Sequence, residues 1–581
     1  MIGRIAVGRF RTTLFTAFAA TLVVGTFTTA SGLGATRPNI VVIQTDDQNP
    51  RLMKSSYRGG DGVIRKTMPN TLGQIVGAGT EFRNYYATSP VCSPSRASLL
   101  TGQYPHNNGL VANEGAFGGW KGWQALPIAR QNLPLALNRS GYRTSHFGKF
   151  TNSYYNPLTG GASSDVPPGW DRWFTTSFRS GENRFYGYTV SDDSRPRGPY
   201  GDPDYRSRGP SIDPPSCTAA TAVVSPDGAE GRPVRCDYIT DVMTRKAVAE
   251  IERDPGRPLY LQVDYESPHG DIRPPEGPQP ATRHIGSADL TPMPESGNFN
   301  EADLTDKPDR IQDAAAEPLE ADDLDLLRTA YRRQLEGLRS IDDGVGEIID
   351  ALRRTGKLED TYIFFTSDHG FFLGEHRLFL AKFLPFEEAS TVSMAVRGPG
   401  VAEGVKSDEV VGNIDVPATV FQLAGVKANY RIDGRSLVPY WRDANLTSRR
   451  PVGISLLEPT FDAGRQLEKA TPTWPRKMLG PIVLRELTRS NRTNGAPPLR
   501  YTGFRVGPYK LIRYRSGESE LYDLERDPDE LLNVYGDPAY RAVRTYMDSH
   551  LARVDECAGS QCREELPPWP SPDTPAEQVS G

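Results

Sequence analysis

The chain has 581 residues, more than one ordinary domain, which favours a large domain together with a smaller one. Hydrophobic residues make up 37% and charged residues 24%, enough apolar material for the core of a soluble protein. The net charge is −5 and no long basic block occurs, which argues against nucleic acid as a partner.

The first 35 residues predict an export signal that is removed from the mature protein. Three arginines lie within the first eleven residues, residues 14–24 are apolar, and small residues fill 28–35. An uncleaved membrane anchor is the alternative, but the apolar run is shorter than the roughly 20 residues that span a bilayer. We therefore expect a secreted, extracytoplasmic protein without stable membrane insertion.

A run rich in β-branched side chains at 39–45 (NIVVIQT) predicts a buried strand. Similar runs predict three more strands, at 261–265, 362–366 and 392–396. Apolar residues recur at every third or fourth position from Leu327 to Leu352, which predicts a helix, and Gly356 follows as its stop. Strands alternating with helices predict an α/β fold with a mostly parallel sheet flanked by helices.

Short apolar runs at 504–506 and 509–514, separated by a Gly-Pro turn, predict a small C-terminal α+β domain whose helix lies near 543–554. Two long stretches of low periodicity, 152–235 and 270–319, are interpreted as rims of a substrate cleft or, equally, as plain surface insertions. The predicted division is a signal peptide at 1–35, a catalytic domain at 36–430, the C-terminal domain at 431–565, and a disordered tail at 566–581.

Polar side chains follow the predicted strands. Asp46 and Asp47 follow the first strand, His269 the second, and Asp368 and His369 the third. Because parallel sheets bind ligands at the carboxyl ends of their strands, we expect these side chains to converge on one cleft. Paired carboxylates at such a position suit a hard cation.

Residues 92–102 (CSPSRASLLTG) predict a helix that begins next to Cys92, with Ser93 as its cap and Pro94 in its first turn. A helix N-terminus favours an anion, and Arg96 adds a positive charge in the first turn. Two local cysteine pairs are predicted as disulfides of an oxidising compartment, Cys217–Cys236 and Cys557–Cys562. Cys92 is then the one cysteine left without a partner.

The motif C-x-P-S-R followed by Leu-Thr-Gly resembles the signature of the sulfatase family, within the alkaline-phosphatase-like superfamily. The resemblance implies that a formylglycine-generating enzyme oxidises Cys92 to formylglycine (3-oxoalanine), whose hydrate attacks sulfur. It also implies one metal ion per subunit. The ligands implied are Asp46, Asp47, Cys92, Asp368 and His369. Because most of these ligands are oxygens, Ca²⁺ or Mg²⁺ is expected rather than zinc.

The resemblance also assigns the remaining catalytic positions. It implies that Lys149 and Lys382 bind sulfate oxygens beside Arg96, and that His269 protonates the leaving oxygen. Many members have a histidine two residues after this first lysine as the base for sulfate release. Here that position is Thr151, a poor proton acceptor, so the base stays open. His106 and His376 are expected to line the pocket, and His284 and His550 to lie on the surface.

The runs GKFTN (148–152) and VPPGW (166–170), together with Tyr104-Pro105-His106-Asn107, resemble the N-acetylglucosamine-6-sulfatase and arylsulfatase branch. This implies a sulfated small molecule or glycan as substrate, such as N-acetylglucosamine 6-sulfate, or an aryl sulfate. Asn152 is interpreted as a substrate contact or as a plain loop residue. A phosphoester or phosphonate hydrolase of the same superfamily is one alternative. A non-catalytic carbohydrate-binding relative is another, although it predicts a broken set of site residues.

Overall fold

The computed structural model describes residues 37–154, 165–177, 184–201, 237–253, 255–270, 277–457 and 500–572. The predicted signal peptide, the predicted Cys217–Cys236 pair and residues 573–581 lie outside these described residues.

The described strands are β1 (Asn39–Thr45), β2 (Ser56–Arg58), β3 (Ile64–Lys66), β4 (Thr80–Tyr86), β5 (Arg143–Gly148), β6 (Arg172–Ser177), β7 (Tyr188–Asp192), β8 (Arg195–Tyr200), β9 (Leu259–Asp264), β10 (Thr361–Ser367), β11 (Met394–Arg397), β12 (Val405–Gly412), β13 (Val452–Leu456), β14 (Tyr501–Val506), β15 (Tyr509–Tyr514) and β16 (Ser519–Asp523).

The described α-helices are α1 (Pro50–Met53), α2 (Pro69–Thr71), α3 (Cys92–Thr101), α4 (Pro105–Asn108), α5 (Gly119–Ala125), α6 (Leu133–Arg139), α7 (Ile239–Glu252), α8 (Asp309–Ala314), α9 (Ala321–Arg354), α10 (Glu387–Ser390), α11 (Asp415–Ala424), α12 (Val438–Arg442) and α13 (Arg541–Asp555).

The large sheet contains ten of these strands in the order β12-β4-β11-β10-β1-β9-β5-β6-β7-β8. Its centre, from β10 to β6, is parallel, as the alternation of strands and helices predicts. Both flanks contain antiparallel pairs, at β10–β11–β4 and at β6–β7–β8, so the sheet as a whole is mixed. The α/β prediction is confirmed, and the parallel part of the sheet is the part that carries the site.

Helices cover both faces of the sheet, and this explains why β1 is apolar along its whole length. Val41 and Ile43 face one core with α7 and the long helix α9, whereas Ile40 and Val42 face a second core with α6 and α11. Successive side chains of a strand point to opposite faces, so both sets of residues are buried. The predicted helix at 327–352 lies within α9, and Gly356 follows it with φ 69°.

The small sheet is antiparallel, in the order β13-β14-β15-β16, and α13 packs against it. This confirms the small C-terminal α+β domain. Its first described strand, β13, begins at Val452, whereas the predicted domain begins at 431. Leu437 and Trp441, which lie between these positions, pack in the core of the large sheet. The predicted tail begins at 566, but Leu566 is buried in the core between the small sheet and α13, and Trp569 packs against that core.

The two sheets meet beneath the segment that leads into α10. Lys510 of β15 is fully buried and donates hydrogen bonds to the carbonyl oxygen of Pro385 at 3.0 Å and to Glu387 at 2.9 Å. The predicted Cys557–Cys562 disulfide is present, and the carbonyl oxygen of Cys557 accepts a hydrogen bond from Asn107 at the end of α4. Among the described helices, none combines the length and apolar character needed to cross a bilayer.

Candidate active site

Four neighbouring parallel strands, β10-β1-β9-β5, end at the same edge of the large sheet, and the segments after them supply most of the site. Asp46 and Asp47 follow β1, Asp368 and His369 follow β10, and Lys149 follows β5. All five side chains are buried. The expected convergence at the carboxyl edge of the sheet is therefore what the structure has.

The end of β5 comes unusually close to β9 before the chain reaches Lys149. Gly148 has φ 124°, and a Cβ at this position would collide with the carbonyl oxygen of Asp264. Only glycine tolerates this combination of conformation and crowding. The N–H of Lys149 then donates to the same carbonyl at 2.9 Å, which fixes where its side chain enters the site.

Helix α3 begins at Cys92, as predicted, but its cap differs from the prediction. Ser93 lies inside the first turn, and its N–H donates to Oδ1 of Asn113 at 2.9 Å. The N–H of Asn152 donates to the Ser93 hydroxyl at 2.9 Å, and that hydroxyl donates to the side-chain oxygen of Asn152. Residues 20 and 59 positions away therefore hold the helix start, and Asn152 is a structural contact here.

Cys92 is buried and forms no disulfide, and two nitrogen atoms lie close to its sulfur. The Nζ of Lys382 lies 3.4 Å from Sγ, and Nε2 of His369 lies 3.3 Å from it. Burial by itself would raise the pKa of the Cys92 thiol, but the positive charges of Lys149 and Lys382 outweigh burial and hold the pKa below its ordinary value. Position 92 thus has positive charges on one side and lies beside the carboxylates of Asp46 and Asp368 on the other.

Arg96 lies one turn further along α3 and organises the carboxylates. Its Nε donates to Oδ2 of Asp368 at 3.0 Å, its Nη2 lies 3.3 Å from Oδ2 of Asp46, and its Nη1 donates to the carbonyl oxygen of Lys149 at 2.9 Å. The guanidinium is 2% exposed. Arg96 therefore holds the strand ends together as well as adding charge to the anion pocket.

The two lysines pair with the two aspartates after β1. Lys149 forms an ion pair with Asp46, and Lys382 donates to Asp47 at 2.8 Å. Burial would raise the pKa of Asp46, but Lys149 holds that pKa well below its usual range. Asp46 is therefore an anion at neutral pH.

The residues fit a hard divalent cation. Ligand atoms of Asp46, Cys92, Asp368 and His369 all lie within 4.8 Å of one another. Oδ1 of Asp46 is buried and has no hydrogen-bond partner among the described residues. A buried carboxylate oxygen without a partner is expected where it binds an ion. Asp47 lies beside them, with its N–H donating to Oδ1 of Asp368 at 3.2 Å. This oxygen-rich set suits Ca²⁺ or Mg²⁺.

His269 reaches the same cleft, with its Nε2 3.6 Å from Oδ2 of Asp47. Its Nδ1 lies 2.6 Å from the carbonyl oxygen of Gly270, so Nδ1 donates and Nε2 faces the site. Burial and the positive charge of Arg184 lower the pKa of His269 well below its ordinary value. All nine residues expected from the sequence thus lie in one place.

Five histidines remain, and three of the four that were assigned a place from the sequence depart from expectation. His376 is fully buried against Glu301, and His284 is also buried, paired with Asp343 at 2.8 Å. His106 contacts the carbonyl oxygen of Cys557, beyond the far end of α3. Thr151 is buried, and its hydroxyl has no hydrogen-bond partner among the described residues.

Behind the lysine pocket lies a polar network that sequence reasoning missed. Nε2 of His146 lies 2.9 Å from Oδ2 of Asp264, and Gln262 donates to the same carboxylate. The one signal for it was the occurrence of polar residues inside the apolar run of β9. These groups support the β5–β9 edge from which Lys149 projects.

Comparison with known proteins agrees with this geometry. The family model described as sulfatase matches residues 38–426, and the model described as N-sulphoglucosamine sulphohydrolase, C-terminal, matches residues 498–557.

Two relatives illustrate the sequence similarity. The human N-acetylglucosamine-6-sulfatase is 29% identical over 91% of this chain and 86% of its own. The extracellular sulfatase Sulf-1 homolog of Caenorhabditis elegans is 30% identical over 69% of this chain, which spans about half (48%) of that protein.

A solved structure shares the fold. The structure of BT4656 in complex with D-glucosamine-2-N,6-O-disulfate superimposes with a TM-score of 0.63 at 22% identity, over 91% of this chain and 98% of that one. Because the sulfatase model covers more than half of the sequence, the chain belongs to the sulfatase family of sulfuric ester hydrolases.

Proposed function

We propose that this protein is an exported sulfatase that hydrolyses the sulfate monoester of a sulfated sugar, with a formylglycine made from Cys92 as nucleophile. The observation that carries the proposal is the position of Cys92 at the start of α3, within 3.4 Å of both Lys382 and His369 and beside the Arg96 cluster. A nucleophile placed among fixed positive charges suits attack on an anionic ester.

The nucleophile arises by modification of the cysteine. A dedicated formylglycine-generating enzyme is the expected partner and supplies the two-electron oxidant: the C–S bond of Cys92 breaks, an oxygen atom from water forms the aldehyde C=O, and sulfide is released. The hydrated aldehyde has two hydroxyls. One attacks sulfur, and the other loses its proton as the aldehyde re-forms and sulfate leaves.

The charged side chains divide the remaining work. Lys149 and Lys382 neutralise the sulfate oxygens, where charge builds up in the transition state. His269 presents Nε2 to the cleft beside Asp47, and after Nε2 takes up a proton it can protonate the leaving oxygen, a role that contributes about 10²–10⁴-fold in other enzymes. Thr151 is not suited to act as the base for sulfate release, so this role stays unassigned.

The carboxylates and His369 would hold one Ca²⁺ or Mg²⁺ together with the oxygen of the modified residue 92. The orphaned Oδ1 of Asp46 supports this assignment. When bound, such an ion acidifies a hydroxyl at the nucleophile and neutralises a sulfate oxygen. Arg96 keeps Asp46 and Asp368 oriented toward the same point.

The sugar class is inferred from relatives. The human relative is named for N-acetylglucosamine 6-sulfate, and the fold relative BT4656 was solved with a glucosamine disulfate. The local runs GKFTN and VPPGW support the same branch. The name of the nematode relative, an extracellular sulfatase, and the predicted signal peptide support export.

Parallel assays test the proposal. Full-length protein, coexpressed with a formylglycine-generating enzyme, is given N-acetylglucosamine 6-sulfate, 4-nitrophenyl sulfate, 4-nitrophenyl phosphate and a phenyl phosphonate ester. We expect kcat/KM for the sugar sulfate to exceed that of every phosphorus ester. A rate for the phosphate or the phosphonate ester far above both sulfate rates would reject the assignment, and binding of a sulfated glycan without turnover would indicate a non-catalytic relative.

A further inference from the structure

The segment between His369 and α10 carries Lys382 into the site, although residues 371–386 form neither helix nor strand. Four of its residues have a left-handed backbone conformation: His376 (φ 51°), Arg377 (φ 57°), Leu380 (φ 45°) and Phe383 (φ 79°). This conformation is unfavourable for any residue that has a Cβ. It persists only where surrounding contacts determine it, so the contacts that hold this segment define where Lys382 lies.

His376 is the most deeply held residue of the segment. Its ring is fully buried and stacks on Phe386 with 4.2 Å between the ring centres. Nδ1 donates to the Glu301 carboxylate at 2.5 Å, and Nε2 lies 3.1 Å from Nδ2 of Asn298. Its backbone N–H donates to the carbonyl oxygen of Asn298 at 2.7 Å. Both ring nitrogens and the backbone are therefore engaged with the same neighbouring strip of chain, residues 298–301.

The strip is itself anchored to two other parts of the fold. Nδ2 of Asn298 also donates to Glu388 of α10 at 2.9 Å and to the carbonyl oxygen of Asp529 at 3.0 Å. Glu388 is buried, and Asp529 belongs to the segment after the small sheet. The ring of His376 thus connects the Lys382 segment with α10 and with the C-terminal domain.

Lys382 depends on this support because its own contacts are at its tip. Nζ contacts Asp47 and Cys92, but a lysine stem is flexible, so the backbone must start the side chain in the right place. The backbone on either side is fixed by the hydrogen bond from the Phe372 N–H to the carbonyl oxygen of Ala381, at 2.9 Å. This hydrogen bond joins the two ends of the loop 372–381, which contains His376.

We propose that His376 is a positioning residue for Lys382: through Glu301, Asn298 and Phe386 it holds the irregular segment in the conformation that places the ammonium beside residue 92. The described contacts of the His376 ring are with Glu301, Asn298, Phe386 and Glu388, none of which is a site residue, so His376 takes no part in the chemistry. The inference rests on the proposed function, in which Lys382 binds the sulfate group.

A double-mutant cycle on the modified full chain tests the inference, with His376→Ala, Lys382→Ala and their combination. We expect His376→Ala to lower kcat/KM for the best sulfate ester by about 10–100-fold, since a displacement of about 1 Å has that effect. The double variant should lie within about threefold of Lys382→Ala, because His376 acts through that lysine. His376→Asn, which keeps a donor near the Nδ1 position, should recover activity to within about fivefold of wild type.

His284→Ala is the matched control, because this histidine is also buried and paired with a carboxylate, Asp343. It should leave kcat/KM within about twofold of wild type. Equal losses from His376→Ala in the wild-type and Lys382→Ala backgrounds would overturn the inference, as would an effect no larger than that of the control. If His376→Ala does not fold, Glu301→Gln is read in the same cycle.

The outcome for the proposed function is separate. If wild-type protein hydrolyses sulfate esters and the cycle shows no coupling, only the positioning role fails. If wild type hydrolyses none of them, the proposed function fails, and the same cycle is then read from the affinity for inorganic sulfate measured by calorimetry. Coupling of about tenfold or more between positions 376 and 382 in that affinity supports the positioning role, and its absence rejects it.

Discussion

The sulfur of Cys92 lies 3.4 Å from the ammonium of Lys382; Cys92 is buried, whereas the Lys382 side chain is partly exposed. Lys382 shares its carboxylate partner with a histidine: Oδ1 of Asp47 pairs with Lys382 and also lies 3.3 Å from Nδ1 of His369. An uncharged aldehyde hydrate at position 92 therefore meets a positive field on one side and carboxylates on the other. This arrangement can hold an anionic ester and a cation at once.

Replacing Cys92 tests the nucleophile. Cys92→Ala removes the precursor of the aldehyde, so kcat/KM for sulfate esters should fall by about 10⁴–10⁶-fold, the scale seen when a covalent nucleophile is deleted. Ser98→Ala, at a buried position of the same helix, is the control and should retain activity. Mass spectrometry of the peptide with Cys92 from active protein should show a loss of ~18 Da relative to the thiol. An unmodified peptide from fully active enzyme would contradict the mechanism.

Metal removal tests the cation site. Treatment with EDTA should abolish turnover, and added Ca²⁺ or Mg²⁺ should restore it, because the carboxylate cluster is built around one hard ion. Elemental analysis should find about one equivalent per chain, and Asp368→Asn should lose it. Asp342→Asn changes a buried aspartate whose partners are Asn70 and Thr71, so its metal content should match wild type. Full metal content in Asp368→Asn would reject the ligand set.

Ion binding should also appear in stability. A cation that binds only the folded chain stabilises it by about 2.7 kcal/mol at a concentration one hundred times its Kd. The melting temperature should therefore rise with added Ca²⁺ or Mg²⁺ in wild type and stay constant in Asp368→Asn. A shift of equal size in both proteins would mean that the ion acts elsewhere.

Glu336 predicts a pH dependence of stability. It lies buried on α9, and burial raises its pKa to about 7, above the ordinary value of 4.5. The folded state then binds the proton more tightly than the unfolded state, so the free energy of unfolding falls as pH rises from about 4.5 to about 7. Glu336→Gln should raise it by about 1–3 kcal/mol at pH 8 and change it little at pH 4.5. Urea unfolding at both pH values measures this, with the exposed Glu359→Gln as control.

The buried ion pair between Arg450 and Asp415 predicts a large loss on truncation. Nη1 of Arg450 donates to both carboxylate oxygens at 2.8 Å, and both side chains are fully buried. Arg450→Met leaves the carboxylate unpaired, so the free energy of unfolding should drop by about 3–5 kcal/mol. Breaking the exposed Asp61–Arg65 pair with Arg65→Ala should leave the free energy of unfolding close to that of wild type, because solvent screens the pair. Equal losses of unfolding free energy in urea for the two variants would contradict the prediction that burial decides the size of the effect.

Local patterns predicted β1, β9, β10 and α3 among the elements that carry the site, but not β5, which leads into Lys149. The apolar run at 39–45 matches β1 residue for residue, and the helix at Cys92 begins where its motif predicts. The polar residues after the strands converge because parallel strands place their carboxyl ends together. These features depend on neighbours in sequence and on one topological rule.

Features that depend on distant residues escaped prediction. Asn113, not Ser93, supplies the oxygen that caps α3, and it lies 20 residues away on an irregular segment. The antiparallel flanks of the sheet could not be read from composition, because edge pairing is decided by connections and not by strand character. His376 was expected in the pocket, but its ring contacts Glu301. The spacing of residues in the sequence does not reveal this orientation.

The contact of Lys510 with Pro385 and Glu387 has a consequence for how this chain can be divided. The ammonium of a β15 residue ends inside the large domain, next to the turn that enters α10. Cutting the chain between the two sheets would remove Lys510 from the buried carbonyl of Pro385 and the carboxylate of Glu387, and both oxygens would lose a charged hydrogen-bond donor. The C-terminal domain is thus a part of the catalytic unit. When it is exchanged between relatives, Lys510 and the segment with Pro385 and Glu387 must come from the same protein.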